Sequence, residues 1–521
     1  MYDYVIVGAG SAGCVLAARL SENPNHQVLL LEAGSKDRKL EIKIPAAFNK
    51  LFKTSYDWAY ETEPEANLDG RRMYWPRGKT LGGSSSLNAM MYVRGNALDY
   101  DHWADLGNKG WSYGDVLPYF EQSERSERGT APRRGTNGPL NVADLRDPNP
   151  TTVAFLEAAP QAGVPRAKDI NGPDQEGVDF TQVTQKRGRR WSAADAYLKP
   201  ARKRVNLKVV TGAQTLRILL DGARAVGVEY VVDGTTQRAT AGDVIVSGGA
   251  INSPQLLMLS GIGPAEQLTA LGIPVVADLP GVGKNLQDHL AIMDVVHSKE
   301  PVTLASAESL PNLARFLTRG RGMLTSNVAE ACGFVRTRPE LDAPDLELIF
   351  APVPFMDHGF APPQGHGITI GSVGVAPRST GELTLRSADP TVAPRIEANY
   401  LSDPDGEDLR VLVEGSKIAR RIFDATAFAR YVGEPLLPAS RPTSDDEIVE
   451  HVRRNAQTLY HPVGTCKMGI DDLAVVDPDL RVHGIENLRV VDASVMPVIP
   501  RGHTHASTVM IAEKAVDLIR G

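Results

Sequence analysis

Cysteine is nearly missing from this chain. Cys14, Cys332 and Cys466 are all there is in 521 residues, they stand far apart, and none sits in a CxxC pair. That excludes a disulfide framework, a zinc site or an iron–sulfur cluster as the organising chemistry, and no metal is expected. Cys14 follows a glycine in a helix-like run and reads as a packed thiol. No apolar run approaches the ~20 residues that span a bilayer. Positive charge is not in excess: 56 Lys and Arg against 63 Asp and Glu give a net charge of −7, which offers no general basis for holding nucleic acid. There is no internal repeat and no low-complexity tract. The first strand-like run begins at Tyr2, so no leader is expected. A cytoplasmic protein is expected, with peripheral attachment to the cytoplasmic side of a membrane through a surface patch left open.

What is present belongs to a globular enzyme. Hydrophobic residues make up 42% and charged residues 23%, ordinary for a packed chain. The length calls for two or three domains. Tyr4-Val5-Ile6-Val7 is a short β-branched run that ends in Gly8-Ala9-Gly10-Ser11-Ala12-Gly13. A helical run follows to Leu20, then a second strand from His26 to Leu31 that ends at Glu32. Strand, glycine turn, helix, strand and acid in this order are a dinucleotide fingerprint. Gly8 turns the chain, Gly10 admits a pyrophosphate, and Gly13 lets helix and strand pack closely. Free N–H groups at the helix N-terminus favour the anion. Glu32 is placed to accept hydrogen bonds from an adenosine ribose and disfavours a 2′-phosphate.

A second small-residue loop runs from Trp75 to Asn88 between apolar anchors, and suits close backbone approach to another part of a long cofactor. Residues 99 to 124 carry packed aromatic helices, 125 to 148 a charged loop or lid, and 151 to 163 an amphipathic helix. Leu207–Val210, Gln214–Leu219 and Ala225–Val231 read as strands, with Asp233-Gly234 as a hairpin turn. Asp243–Ser247 reads as a short buried strand before Gly248-Gly249 and a helix to Leu259. Leu346–Phe350, Ile368–Val375 and Gly381–Leu385 read as strands of one antiparallel sheet, and Asp408–Phe423 as a helix. Leu488–Asp492 returns to the parallel pattern, with Asp492 placed to bond a cofactor hydroxyl.

Near the C-terminus stand Tyr460-His461-Pro462-Val463-Gly464-Thr465 and Gly502-His503-Thr504-His505-Ala506. His461 and His505 are read as a pair that takes a proton from an alcohol, since imidazole cycles near neutral pH. His461 is the favoured base. A metal held by His503 and His505 has no acid-and-histidine set to complete it.

Taken together, these motifs make the chain resemble the glucose–methanol–choline (GMC) oxidoreductases over essentially its whole length. The stretches that carry the likeness are Gly8–Gly13 with Glu32-Ala33-Gly34, Arg77–Asn88, Gly248–Gly263, Gly281–His289, His461–Thr465 and Val491–Pro497. The likeness is greatest to the choline dehydrogenase and aliphatic alcohol dehydrogenase branch, which Thr325–Glu330 also resembles. It implies an α/β fold: a Rossmann-like FAD-binding domain assembled from 1–150, 196–298 and 456–521, and an antiparallel-sheet substrate domain from 151–195 and 299–455. It implies FAD-dependent oxidation of an alcohol, here taken as primary, with hydride passing to flavin N5. His461 and His505 map to the two active-site positions, and Glu330 and His503 are expected at the substrate. The expected cofactor contacts are Gly8, Gly10, Ser11, Ala12, Gly13, Glu32, Ala33, Arg77, Gly83, Ser84, Asn88, Met90, Ala213, Asp492, Ala493 and Thr504. Leu87 stands where some relatives attach FAD to histidine, so non-covalent FAD is expected. Quinone, dye and oxygen all remain as electron acceptors. An oxidase releasing hydrogen peroxide and a hydroxynitrile lyase are the alternatives, and the number of subunits is not fixed by these residues.

Overall fold

The fingerprint strand is the centre of the first sheet. In a computed structural model that describes residues 1–129, 133–361 and 364–521, Tyr2–Val7 lies between Val28–Glu32 and Thr235–Val246, with Leu207–Thr211 beyond Val28–Glu32. These pairs are parallel, as is the pairing of Thr235–Val246 with Leu488–Val490. Both faces are covered, which is why Val28 to Glu32 are all buried and read as an unbroken apolar run ending in an acid.

The segment around Asp243 differs from the short strand expected there. It is the end of one 12-residue strand, Thr235–Val246. The first half of that strand pairs antiparallel with Arg224–Val232 and its last residues pair parallel with Tyr2–Val7. Its exposed start, Thr235–Arg238, is polar and was invisible to an apolar-run criterion. The turn before it is as expected: Asp233 and Gly234 both have left-handed φ, 50° and 73°, the hand a two-residue hairpin needs.

The second sheet is antiparallel. Its order is Ala331–Val335, Leu346–Ala351, Gly367–Gly374, Leu290–Ser298 and Val432–Leu437, with Gln457–Thr458 also pairing Leu290–Ser298. Helix Glu407–Phe423 packs on it at close range; a Cβ on Gly415 would meet Ser372 Cβ at 2.6 Å. Leu290–Ser298 lies on the nucleotide side of the division expected at 298, yet its strand partners all belong to this second sheet.

Two further expectations change. Gly381–Leu385 does not join the large sheet. Glu382–Thr384 pairs instead with Arg395–Glu397 in a separate ribbon, held there because Leu383 N–H donates to Gly283 O. Residues 125 to 148 are not a free lid where they are described. Glu124–Ser126 pairs with Leu140–Val142, and buried Glu124 accepts hydrogen bonds from both Arg94 and Arg134. Residues 130–132 of that segment lie outside the described residues. Among the described residues no helix is long and apolar enough to cross a membrane.

Candidate active site

One cavity runs from the fingerprint turn to the second sheet. At its nucleotide end Gly8 has φ 97°, and a Cβ on Gly13 would fall 1.9 Å from Gly8 O. Helix Ser11–Leu20 has no side-chain cap, so the N–H groups of its first turn are left for a ligand. The second glycine loop closes directly on the first: a Cβ on Gly83 would lie 2.7 Å from Gly10 Cα. Nothing larger than glycine fits at that crossing. Glu32 accepts the N–H of Ala9 at 2.9 Å and of Gly34 at 2.7 Å, and burial raises its pKa to about 7. Asp492 accepts from Gly249 N–H and Ser494 N–H, both at 2.8 Å, and from Ser253 Oγ, tying two separate chain segments to one rim.

Of the expected cofactor contacts, all but one line this cavity: Gly8, Gly10, Ser11, Ala12, Glu32, Ala33, Arg77, Gly83, Ser84, Asn88, Met90, Ala213, Asp492, Ala493 and Thr504. Gly13 does not, and its place is the helix–strand contact behind the turn.

At the far end three histidines meet. Tyr460 holds a left-handed φ of 68°, a conformation costly for a bulky side chain, and its hydroxyl is fixed to His358 Nδ1 at 2.6 Å. The next residue, His461, enters the cavity. Its backbone N–H donates to Asp288 Oδ1 at 2.7 Å, and its Nδ1 lies 3.0 Å from His289 Nδ1. One proton serves that contact, so one ring donates and the other accepts. His503 stands edge-on to His461 with ring centroids 4.8 Å apart. Its Nε2 donates to Glu347 Oε1 at 2.9 Å, and Glu347 is fully buried on strand Leu346–Ala351 of the second sheet. Burial, reinforced by the neighbouring His503, His289 and Arg77, holds His461 well below the ordinary histidine pKa. Burial and His503 take His289 down to about 3. Both are neutral imidazoles near neutral pH.

His461 and His505 both line the cavity, but the ring in contact with His461 is that of His503. His503 is the N-cap of the C-terminal helix Thr504–Arg520 and His505 lies in its first turn. Residues two apart at a helix start diverge in direction. His503 therefore reaches His461, while His505 turns back and its Nδ1 meets Ser11 Oγ at 2.9 Å. Burial lowers His505 to about 4, and its Nε2 has no partner although buried against the cavity.

Glu330 is also displaced from its expected role. It does not line the cavity. Its carboxylate accepts from Ser326 Oγ at 2.6 Å, Asn149 N–H at 2.6 Å and Thr152 Oγ1 at 2.7 Å, and is 1% exposed. It is a fastening between the 325–330 loop and the start of helix Pro150–Gln161. Glu330→Gln should cost about 1–3 kcal/mol of stability, the penalty for disturbing a buried polar hub, and leave Michaelis constants across an alcohol panel unchanged. A lowered Tm with unaltered constants is the expected reading; altered constants at unchanged Tm would restore the substrate role.

With this geometry in view, comparison with known proteins gives a consistent answer. The GMC oxidoreductase N-terminal family model matches residues 2–291 and the C-terminal model matches 377–512. The chain is 46% identical to "Alcohol dehydrogenase [acceptor]" of Pseudomonas putida, covering 100% of this chain and 96% of the relative. It is 49% identical to the mitochondrial choline dehydrogenase of Homo sapiens, covering 100% of this chain and 90% of the human protein. Among solved structures, pyridoxine 4-oxidase from Mesorbium loti superposes with a TM-score of 0.91 at 34% identity over 99% of both chains. The chain belongs to the GMC oxidoreductase family. It is a flavin-dependent enzyme acting on CH–OH groups, and its cofactor is FAD.

The cavity fits that cofactor. The uncapped helix N-terminus and the Gly10–Gly83 crossing make a cradle that a side chain would fill. The orphaned His505 Nε2 and the remaining acceptor capacity of Glu32 and Asp492 supply polar partners along it. Sequence reasoning missed His289 and Glu347. His289 was inside a stretch that carried the family likeness, but nothing in the order of residues pointed its ring at His461.

Proposed function

We propose that this chain oxidises an uncharged, largely apolar primary alcohol to an aldehyde, with neutral His461 as the base. The observation that carries the reading is the contact of His461 Nδ1 with His289 Nδ1 at 3.0 Å, with His503 edge-on beside it. With His461 Nδ1–H donating to His289, Nε2 of His461 keeps its lone pair and faces the cavity. Taking the hydroxyl proton makes His461 an imidazolium, and the Nδ1–H bond to His289 is kept in both states. His289 thus fixes the productive tautomer without itself being charged. His503, oriented by Glu347, is the second polar ring beside His461 at the reacting end. Bound FAD supplies the acceptor for the hydride leaving the carbinol carbon. FAD is held without a covalent bond, because Leu87 offers no nucleophile and is packed against Ile42 and Leu51.

The substrate end is lined by Phe48, Phe52, Met91, Met293, Ile349 and Phe355. The acids lining the cavity, Glu32 and Asp492, both lie at its nucleotide end. That favours a neutral alcohol. One observation favours choline instead: Phe48, Phe52 and Tyr460 form a ring cluster, with Phe52 5.7 Å from Phe48 and 5.8 Å from Tyr460, and such faces hold quaternary ammonium by cation–π attraction.

Anaerobic absorbance spectra with a panel of aliphatic and benzylic alcohols, choline and sugars test the reading. Neutral primary alcohols are expected to bleach the flavin, with choline slower, and the reduced flavin is expected to pass its electrons to a dye or quinone faster than to admitted air. Rapid reoxidation in air with hydrogen peroxide would make the enzyme an oxidase. A flavin that no alcohol bleaches, together with cyanohydrin cleavage, would replace the reading with a lyase.

A further inference from the structure

A buried arginine stands behind the second glycine loop without a carboxylate to meet it. The hairpin of Gln185–Lys186 and Arg189–Arg190 turns Arg189 to solvent and Arg190 inward, where it is 1% exposed. Arg190 Nε donates to Ile42 O at 2.8 Å, and Nη1 donates to Ser85 O at 3.1 Å and to Asn88 Oδ1 at 2.7 Å. Nη2 is buried with no partner. The same loop is gripped a second time, since Ala193 N–H donates to Ser85 Oγ at 3.0 Å. Asp195, the acid whose field reaches Arg190, is held by Lys43 at 2.8 Å, and among the described residues Arg190 forms no ion pair. Other buried arginines are matched: Arg94 and Arg134 meet Glu124, and Arg77 is offset by Asp288 and Asp57. Burial pulls Arg190 down to about 9, which leaves it a cation at neutral pH.

A wholly buried cation without a counter-ion is costly, and the three oxygens that Arg190 meets are all neutral. An anion in the cavity would offset that cost. The loop that Arg190 supports runs from Gly83, at the crossing with Gly10, to Met91 at the substrate end, and Ser85, Asn88 and Met90 line the cavity between them. The charge is felt as far as His505, where it adds to burial in lowering the ring's pKa. Oxidation of a CH–OH group delivers two electrons and one proton to bound FAD and the second proton to the protein, so the cofactor ends one negative charge richer. We propose that Arg190 is a positioning residue for this reaction: through Ser85 and Asn88 it shapes the loop, and its guanidinium is the fixed counter-charge for the reduced flavin. The pyrophosphate is the other anion of FAD, but its expected seat is the uncapped first turn of helix Ser11–Leu20.

The midpoint potential of bound FAD tests this. A dye-coupled reductive titration measures it without any alcohol, so the outcome stands apart from the choice of substrate. Wild type is expected to bind reduced FAD more tightly than oxidised FAD, which places its potential above that of free FAD. A unit charge acting over about 10 Å through protein of effective dielectric constant ~20 is worth about tenfold. Arg190→Gln should therefore lose about tenfold of the preference for reduced FAD, a fall of about 30 mV for a two-electron couple. Arg190→Lys keeps the charge but not the fork that holds Ser85 and Asn88; it should keep the wild-type potential while binding both forms of FAD more weakly. Ser85→Ala removes the contact with Ala193 and leaves the charge in place, and should likewise weaken both forms alike. A wild-type potential at or below that of free FAD would overturn the proposal whatever the variants do. So would Arg190→Gln at the wild-type potential, which would make the arginine a fastening or a partner of the pyrophosphate, or an Arg190→Lys potential that falls as far as that of Arg190→Gln.

Discussion

His461→Ala is expected to slow anaerobic flavin reduction by alcohol at least ~100-fold, the lower range for loss of a positioned base, with FAD still bound. The ring is the group placed at the reacting end of the cavity with a neutral imidazole and a free nitrogen once Nδ1 is engaged by His289. Its backbone is pinned by Asp288 and preceded by the left-handed Tyr460, so the deletion removes the ring without loosening the turn. The cofactor contacts lie on other segments, which is why flavin content should not follow the rate. His505→Ala gives the contrast. Its ring meets Ser11 at the fingerprint helix, so it should act on FAD affinity and change the reduction rate less than ~10-fold, below the usual general-base range. Near-normal turnover in His461→Ala, or a larger loss in His505→Ala, would return the base to the other histidine.

Gly83→Ala is expected to yield protein with little bound FAD. Gly83 has φ 51°, which costs an L-residue about 1–2 kcal/mol by itself. The larger obstacle is contact: the added Cβ would stand 2.7 Å from Gly10 Cα, backbone that cannot swing aside. Relief requires the two glycine loops to separate, and they are the walls of the cofactor cradle. A fall of about tenfold or more in FAD affinity is the expected size, corresponding to about 1.4 kcal/mol of lost fit. Gly70→Ala is the control, since Gly70 also has positive φ, 70°, but is exposed with open space around its Cβ position. Flavin absorbance per chain, and FAD titration of the stripped protein, should separate the two. Full flavin occupancy in Gly83→Ala would show that the loops do not need that approach.

The cofactor end was legible in the sequence because its chemistry is local. A strand, a glycine turn and an acid recur within about thirty residues in a fixed order, and each glycine has a steric reason that one segment reveals. The same holds for Asp492 at a strand end and for His461 in its turn. The proton-handling end was only half legible. His289 lies 172 positions from His461, and Glu347 lies 156 from His503, so these contacts exist only once the second sheet has formed. Whether His503 or His505 faces His461 is decided by the direction of residues at a helix start, and the spacing of two already implied that only one could. Glu330 was misplaced for a different reason. A buried acid reads the same in sequence whether it meets a ligand or ties a loop, and here Ser326, Asn149 and Thr152 take up its oxygens. The long strand Thr235–Val246 escaped because its first half is a polar hairpin arm and only its end is core.

The most direct test of a neutral His461 as the base is the pH dependence of anaerobic flavin reduction at limiting alcohol concentration. A base must be unprotonated to act. Burial and its neighbours hold His461 well below its ordinary value of 6.5, so it stays unprotonated as pH falls through 6.5. The rate constant is therefore expected to be level from about pH 8 to below 6.5 and to fall only in more acid solution. An acid limb with its midpoint at or above 6.5 would contradict a buried, neutral His461 as the group that takes the proton.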